Sequence, residues 1–355
     1  MHRHALRILA PLALAALLGT TALAQDAPRA RPRIEREISA ITGDLYRGRN
    51  GNWYTIFLVT PEGIILGDPI NTDFATWLKA ELDRRFDVPV RYVVYSHSHF
   101  DHAAGGRAFA DTALFVGQQN MARNMDGRYP HMPGDMIDRN ANGRIDREDI
   151  MIPTEAKPGV CGWGPSFFTM FDANGDGAVT PQELQADIVP PDILYSERMT
   201  LKLGGRTVEL LFPGLNHSDD ATVMYFPAER VVFATEFLAD ALVTDDIHSL
   251  PSACGPFDGS PLAEWIKSYR TVEQLDFDIL AGGHGTLFHK ADVTATREYF
   301  EDLVAAVSAA IAAGVPLEEM KQTIELDRYR DWRNYDRLLP ENIEAAYLNL
   351  TLYRR

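Results

Sequence analysis

The chain has 355 residues and 46% hydrophobic content, enough for one large domain or a domain carrying an insert. Its 50 acidic against 34 basic residues give a formal net charge of −16, which disfavours nucleic acid and anionic membranes as partners. Its two cysteines are too few for a Cys-rich zinc site.

The predicted elements begin with a signal peptide over residues 1–24. Arg3 and Arg7 supply the positive start, Ile8 to Leu18 the apolar run, and Ala22-Leu23-Ala24 a small-x-small cleavage site. Residues 25–37 read as a tether. A periplasmic or secreted location follows, with no stable membrane insertion after cleavage. In that oxidising setting Cys161 and Cys254 are a candidate disulfide pair.

From about Ile38 the pattern is β-rich. Trp53 to Thr60 and Ile64 to Asp68 flank Pro61-Glu62-Gly63 as a hairpin, Phe74 to Phe86 has helical periodicity, and Arg91 to Tyr95 is a short buried strand. Residues 118–196, rich in Gly, Pro, Asp and Asn, interrupt this rhythm as an insert. Strands resume over Met199 to Leu203, Thr207 to Phe212, Thr222 to Phe226 and Arg230 to Ala234, with Asp278 to Leu280 as the last. Helices are predicted over Ala263 to Leu275, Val293 to Ala313 and Leu317 to Leu326, within a C-terminal helical segment from residue 291. A tail with Tyr329, Trp332, Tyr335 and Tyr347 reads as core, with a lid or dimer contact as alternatives.

The strand ending at Tyr95 runs into His97-Ser98-His99-Phe100-Asp101-His102. Three His and one Asp in six residues, at a strand's C-terminal end, supply part of a metal shell. The remaining donors must come from afar. His217 lies between two strands, His284 lies in Gly282-Gly283-His284-Gly285, and Glu236 stands at a strand end. His131 and His289 carry no comparable signal, and His248, in an expected active-site loop, stays open as a further candidate.

These residues resemble the metallo-β-lactamase superfamily over about residues 38–117 and 197–290. The first cluster matches its His-x-His-x-Asp-His motif, His217 its third histidine motif and His284 its Gly-His-Gly motif. Asp68 matches the Asp that closes the family's Glu-Gly strand. The resemblance implies an α/β fold, the αβ/βα sandwich, over residues 38–290. It implies two zinc ions, one on His97, His99 and His217, the other on Asp101, His102 and His284. Glu236 stands where many members have a bridging Asp, and bridging two metals, binding one, or only hydrogen-bonding are its open roles. Asp68 would orient a ligand histidine and Asp101 would orient a metal-activated hydroxide. A small-molecule ester, lactone, thioester or β-lactam is the implied substrate. A non-catalytic calcium-binding protein and a di-iron redox protein are the other readings of the same residues. Oligomeric state is not legible.

The insert contains one internal repeat, at residues 138–149 and 172–183. Asp138, Asn140, Asn142 and Asp149 match Asp172, Asn174, Asp176 and Glu183 as oxygen donors at positions 1, 3, 5 and 12, with Gly at position 6. Arg144 and Ala178 offer main-chain oxygens at position 7, and Asp146 and Thr180 stand at position 9. The repeat resembles EF-hand loops holding one or two Ca²⁺. Ile145 and Val179, at position 8 of each loop, are expected to zip the pair together as a short β-bridge. The insert separates His102 from His217, so both its ends must return to the site, and it is expected beside the cleft.

Overall fold

The computed structural model describes residues 34–126, 138, 140, 142–146, 148–149, 168, 171–236, 248–251 and 260–352. The signal peptide, the tether before Ile34, His131, Cys161 and Cys254 lie outside the described residues. The unit described is Glu35–Arg355.

Four antiparallel strands start the first sheet: β1 (Arg36–Thr42), β2 (Leu45–Asn50), β3 (Trp53–Thr60) and β4 (Gly63–Leu66). Helix α1 (Thr72–Arg85) crosses over to β5 (Val90–Val94), which lies parallel to β4. The short helix α2 (Phe100–Ala103) follows, then β6 (Leu114–Gln118), parallel to β5, and α3 (Gln119–Asn124). Strands β7 (Ile145–Asp146) and β8 (Ala178–Val179) form a separate two-stranded ribbon, and α4 (Pro181–Gln185) comes next. Strand β9 (Ile193–Tyr195) returns to the first sheet, parallel to β6, giving the order β1-β2-β3-β4-β5-β6-β9.

The second sheet takes its strands in chain order: β10 (Arg198–Leu203), β11 (Arg206–Leu211), β12 (Val223–Phe226), β13 (Val231–Phe233), β14 (Ile279–Ala281) and β15 (Leu287–His289). Only β13 and β14 are parallel, and α5 (Leu262–Glu273) lies in the connection between them. Helices α6 (Lys290–Ala312), α7 (Leu317–Thr323) and α8 (Tyr335–Leu352) complete the described chain.

The layering follows from alternation along the strands. On β3, Ile56 and Leu58 point between the sheets, where they meet Leu201, Leu210, Met224 and Phe233, while Phe57 points the other way, toward Phe74 and Leu78 of α1. A strand buried on both faces reads as a continuous apolar run, as Ile56 to Val59 does. The outer face of the second sheet is covered by α5 to α8 around Trp265, Tyr269, Tyr299 and Phe300. The result is a helix, sheet, sheet, helix sandwich.

Three details differ from the sequence expectations. Helix α1 starts at Thr72, because the Asn71 side chain caps it by accepting from the Phe74 N–H at 2.9 Å. The strand at 279–281 is not the last: Gly285, at φ +75°, turns the chain back so that β15 pairs antiparallel with β14. The tail holds a long helix, α8, whose Asn342 donates to the Tyr299 hydroxyl at 2.7 Å. Tyr329 and Tyr335 are buried there as core.

Leu58 is fully buried at the centre of the inter-sheet layer. Leu58→Ala is expected to destabilise the fold by about 2–5 kcal/mol through lost transfer energy and the cavity left behind. A lowered urea midpoint at unchanged m-value checks it.

Candidate metal centre

The site lies where strand ends of the two sheets meet. Strand β5 stops at Val94, and the next residues are pinned by backbone bonds: Tyr95 N–H to Val116 O at 2.9 Å, and Thr222 N–H to Ser96 O at 2.6 Å. The second of these ties the His97 loop to the second sheet. Asp220, itself buried, accepts from the Ser98 N–H at 3.1 Å and from the Ser218 hydroxyl. Asp219 accepts from Asn120, Arg123 and Asn124, so α3 fixes the loop carrying His217.

The first group is His97, His99 and His217, whose ligating atoms lie within 4.8 Å of one another. His99 Nδ1 faces His217 Nε2 at 3.0 Å. His97 Nδ1 is 2.9 Å from the Ser96 hydroxyl, and its Nε2 is buried with no hydrogen-bond partner. Ser96 donates its hydroxyl to Asp68 at 2.7 Å, so the remaining contact is served by the proton on His97 Nδ1. The Nε2 lone pair is thereby left bare and aimed at the other two rings. Burial, with the neighbouring His99 and His102, holds His97 well below the ordinary imidazole value, and burial brings His217 down to about 3. Neutral imidazoles with converging lone pairs are the form a metal cation requires.

The second group is Asp101, His102 and His284, again within 4.8 Å. The Nε2 atoms of His102 and His284 are 3.2 Å apart, and Glu236 Oε1 lies 3.0 Å from the first and 2.8 Å from the second. Asp101 Oδ2 is 3.6 Å from His102 Nε2. Asp68 Oδ2 stands 3.4 Å from His102 Nδ1, an electrostatic contact without hydrogen-bond alignment. Burial works against the charged forms here, yet Asp101, Asp68 and Glu236 raise His102 well above its ordinary value. Burial likewise opposes the Glu236 carboxylate, but His284 and His102 hold it well below the usual carboxylate range. The group therefore crowds cationic rings around an ionised carboxylate, and a bound cation would take over the rings' positive charge.

Glu236 has the left-handed φ of +65°, a strained setting for a residue with a Cβ. It turns the carboxylate back over the site just after β13. Glu236 also lines a cleft with His97, Asn216, His217 and Thr235, so it borders both histidine groups. Gly283 is required by packing: a Cβ there would lie 2.4 Å from Thr235 Cγ2 and 3.1 Å from His102 Cε1. Its carbonyl accepts from the Tyr54 N–H at 2.7 Å.

Every predicted donor of the two histidine groups is therefore gathered at one edge, with Glu236 against the second group and Asp68 beneath both. Sequence reasoning missed Ser96, Thr235, Asp220 and Trp53. Ser96 and Asp220 border recognised motifs, whereas nothing in the sequence marks Trp53, whose indole N–H donates to Asp101 at 3.1 Å. His248 pairs with Asp292 at 2.8 Å and lies against Trp332, and His289 precedes α6, so neither joins the two groups.

The repeat loops pair as their position-8 residues suggest, with Ile145 opposite Val179 across β7 and β8. Asp138 accepts from the Asn142 and Gly143 N–H groups, and Asp172 from those of Gly175, Asp176 and Gly177. Ile145, Val179, Phe168 and Leu184 pack on Phe100 of α2, the residue between His99 and Asp101.

The profile of the metallo-β-lactamase superfamily matches residues 56–284. The chain belongs to that superfamily. Its members are generally hydrolases. The α subunit of a 2,4-dinitroanisole O-demethylase from Nocardioides sp. (strain JS1661) is 21% identical over 230 residues, which are 65% of this chain and 51% of that protein. The chain thus matches about half the length of that curated relative. The stereoselective inverting sec-alkylsulfatase Pisa1 from Pseudomonas sp. aligns at TM-score 0.57 and 17% identity, covering 88% of this chain and 50% of that one. A metallo-β-lactamase from Pontibacter korlensis aligns at TM-score 0.50 and 16% identity, covering 75% and 99%. The fold is that of the superfamily, and its two His-rich groups suit divalent metal.

The imidazole shifts fix a pH dependence for the metal-free protein. With His97 and His217 below 6.5 in the fold, the unfolded chain binds more protons between that value and their folded values. Stability therefore falls as pH drops below 6.5. His102 and His284, raised in the fold, oppose this loss only while the unfolded histidines are still taking up protons around 6.5, and Glu236 stays ionised above 4.5. Urea unfolding of chelator-treated protein between about pH 6 and pH 5 is expected to show this loss, with a shallower slope in His217→Asn.

Proposed function

We propose that this chain is an exported hydrolase in which His97, His99 and His217 would hold one zinc ion and Asp101, His102 and His284 a second, with Glu236 as a further carboxylate beside the second group. The observation that carries this reading is the bare, buried His97 Nε2 facing the His99 and His217 nitrogens, paired with the Glu236 carboxylate set between His102 and His284. Those donors, nitrogen and carboxylate oxygen, are the ones zinc takes. Bound zinc would supply a lowered pKa for water and polarisation of the target oxygen.

The remaining work falls to the protein. Asp68, through Ser96, keeps the proton on His97 Nδ1, and its charge beside His102 Nδ1 favours the same tautomer there. Asp101 is only partly buried, with one carboxylate oxygen held by Trp53, so its other oxygen is available to accept from an attacking water. The cleft lined by His97, Asn216, His217, Ser218 and Glu236 borders the proposed donors. Esters, lactones, thioesters and β-lactams form the candidate class, and the names of the relatives add alkyl sulfates and O-methyl ethers. Export rests on the leader-like first 24 residues.

The two repeat loops are proposed as an EF-hand-like calcium clip. The β7–β8 pairing and the carboxylates gathered by their own backbone N–H groups support it, and Phe100 places the clip against α2. Pro130, Pro133 and Pro153 around the first loop, and Pro165 and Pro190 around the second, fit a structural clip better than an opening sensor.

Elemental analysis is expected to find about two zinc per chain, with turnover on a chromogenic cephalosporin, lactone or alkyl sulfate panel. His99→Ala should lose zinc and turnover together, and a fully metallated, active variant would refute the ligand assignment. Calcium at about a hundredfold over its Kd should stabilise the wild type by ~2.7 kcal/mol. A smaller calcium-dependent shift of the unfolding temperature in Glu183→Gln is the expected check, and an equal shift in both proteins would count against the clip.

A further inference from the structure

The three side chains of the second group come from different parts of the fold. Asp101 and His102 ride on α2, behind the first sheet, whereas His284 sits in the turn between β14 and β15 of the second. Trp53, the first residue of β3, touches both sources. Its indole N–H donates to Asp101 Oδ2 at 3.1 Å, and its ring meets the His284 ring edge-on at 5.6 Å between centroids. Its backbone forms an isolated antiparallel bridge with His284, and the next N–H, that of Tyr54, is bonded to Gly283. The first group has a different set of supports: Ser96, Asp220 and the α3 contacts to Asp219.

From this we infer that Trp53 is a positioning residue for one metal of the pair, the one on Asp101, His102 and His284. The inference rests on the dinuclear reading above. A carboxylate with two free oxygens can rotate and offer either. The indole N–H holds Oδ2, the oxygen 3.6 Å from His102 Nε2, which fixes the carboxylate plane and decides which oxygen faces the second group. The ring edge limits the rotation of the His284 imidazole, and the β-bridge sets the height of its backbone. Indole suits this role because it carries a single donor on a rigid plane, with no acceptor to compete for the ion. Phenylalanine keeps the plane and lacks the donor, so the two contributions can be separated.

The test is cobalt(II) titration of the metal-stripped full chain, followed by its visible absorption, for wild type, Trp53→Phe and Trp53→Ala. The wild type is expected to take two ions. Trp53→Phe should bind the first as the wild type does and the second about 10- to 100-fold more weakly, the usual effect of losing such a support. Trp53→Ala should weaken the second ion at least as much. Urea unfolding of the stripped proteins guards against general damage: Trp53→Phe is expected to match the wild type there. Wild-type affinity for both ions in Trp53→Phe and Trp53→Ala would overturn the Trp53 assignment alone, as would equal weakening of the two ions. A wild-type chain that binds no second ion would instead overturn the dinuclear reading, and this inference with it.

Discussion

A carboxylate with no solvent exposure, Asp68, lies beneath both histidine groups. Burying a charge is costly unless hydrogen bonds replace its water. Here the Ser96 N–H and hydroxyl donate at 2.7 Å each, and the Thr235 hydroxyl donates at 3.4 Å. Ser96 follows β5 of the first sheet and Thr235 follows β13 of the second. One anion thus joins the sheets at the edge where the site is built. Its influence reaches His97 through Ser96 and His102 directly, so one group sets the orientation of a ring in each cluster.

The rest of the site is shaped by the cost of bringing like groups together. In the absence of a cation, imidazole nitrogens 3.0 to 3.2 Å apart within a buried pocket can share at most one proton per pair, which leaves the other donors of the site uncompensated. They stay there because each ring hangs from a backbone fixed elsewhere. The 217–220 loop is held by Asp219 against α3 and by Asp220 against Ser98, and the 282–285 turn by its bonds to β3. Glu236 adds backbone strain at φ +65°. Strain and crowding concentrated at one edge, with a close-packed sandwich behind it, is the pattern of a fold whose stability is given up locally for chemistry.

How legible this was in the sequence depended on the range of the interaction concerned. Alternation and apolar runs located β3 and most of the second sheet, because burial on a sheet face imposes a period on the chain itself. The His97 to His102 cluster was legible for a related reason: its donors are local, and such a density of them has no packing explanation. His217, His284 and Glu236 were marked by their places at strand ends, but only the resemblance tied them to particular ions. Ser96, Thr235 and Trp53 act through contacts 28 to 167 residues away in sequence. Their residue types are ordinary for strands and loops, so only the fold reveals their roles. Strand β15 was missed, and helix α8 was legible only as part of a helical C-terminal segment, because a three-residue strand and a helix with Pro340 near its start give weak periodic signals.

The position of α2 brings the repeat loops into the same argument. This four-residue helix is too short to hold itself. Its Ala103 packs into the layer beneath α1, while its Phe100 packs into the small cluster of Ile145, Phe168, Val179 and Leu184. Asp101 and His102 lie between these two anchors. The small cluster offers too little apolar area to fix the loops unaided, and small units of this kind ordinarily need a staple. The carboxylates of Asp138 and Asp172 are ringed by backbone N–H groups, which supports the proposed calcium clip as that staple. What stiffens the loops also stiffens Phe100, and through it the backbone carrying two of the donors. The described part of the excursion between β6 and β9 thus reaches the backbone of the site through Phe100.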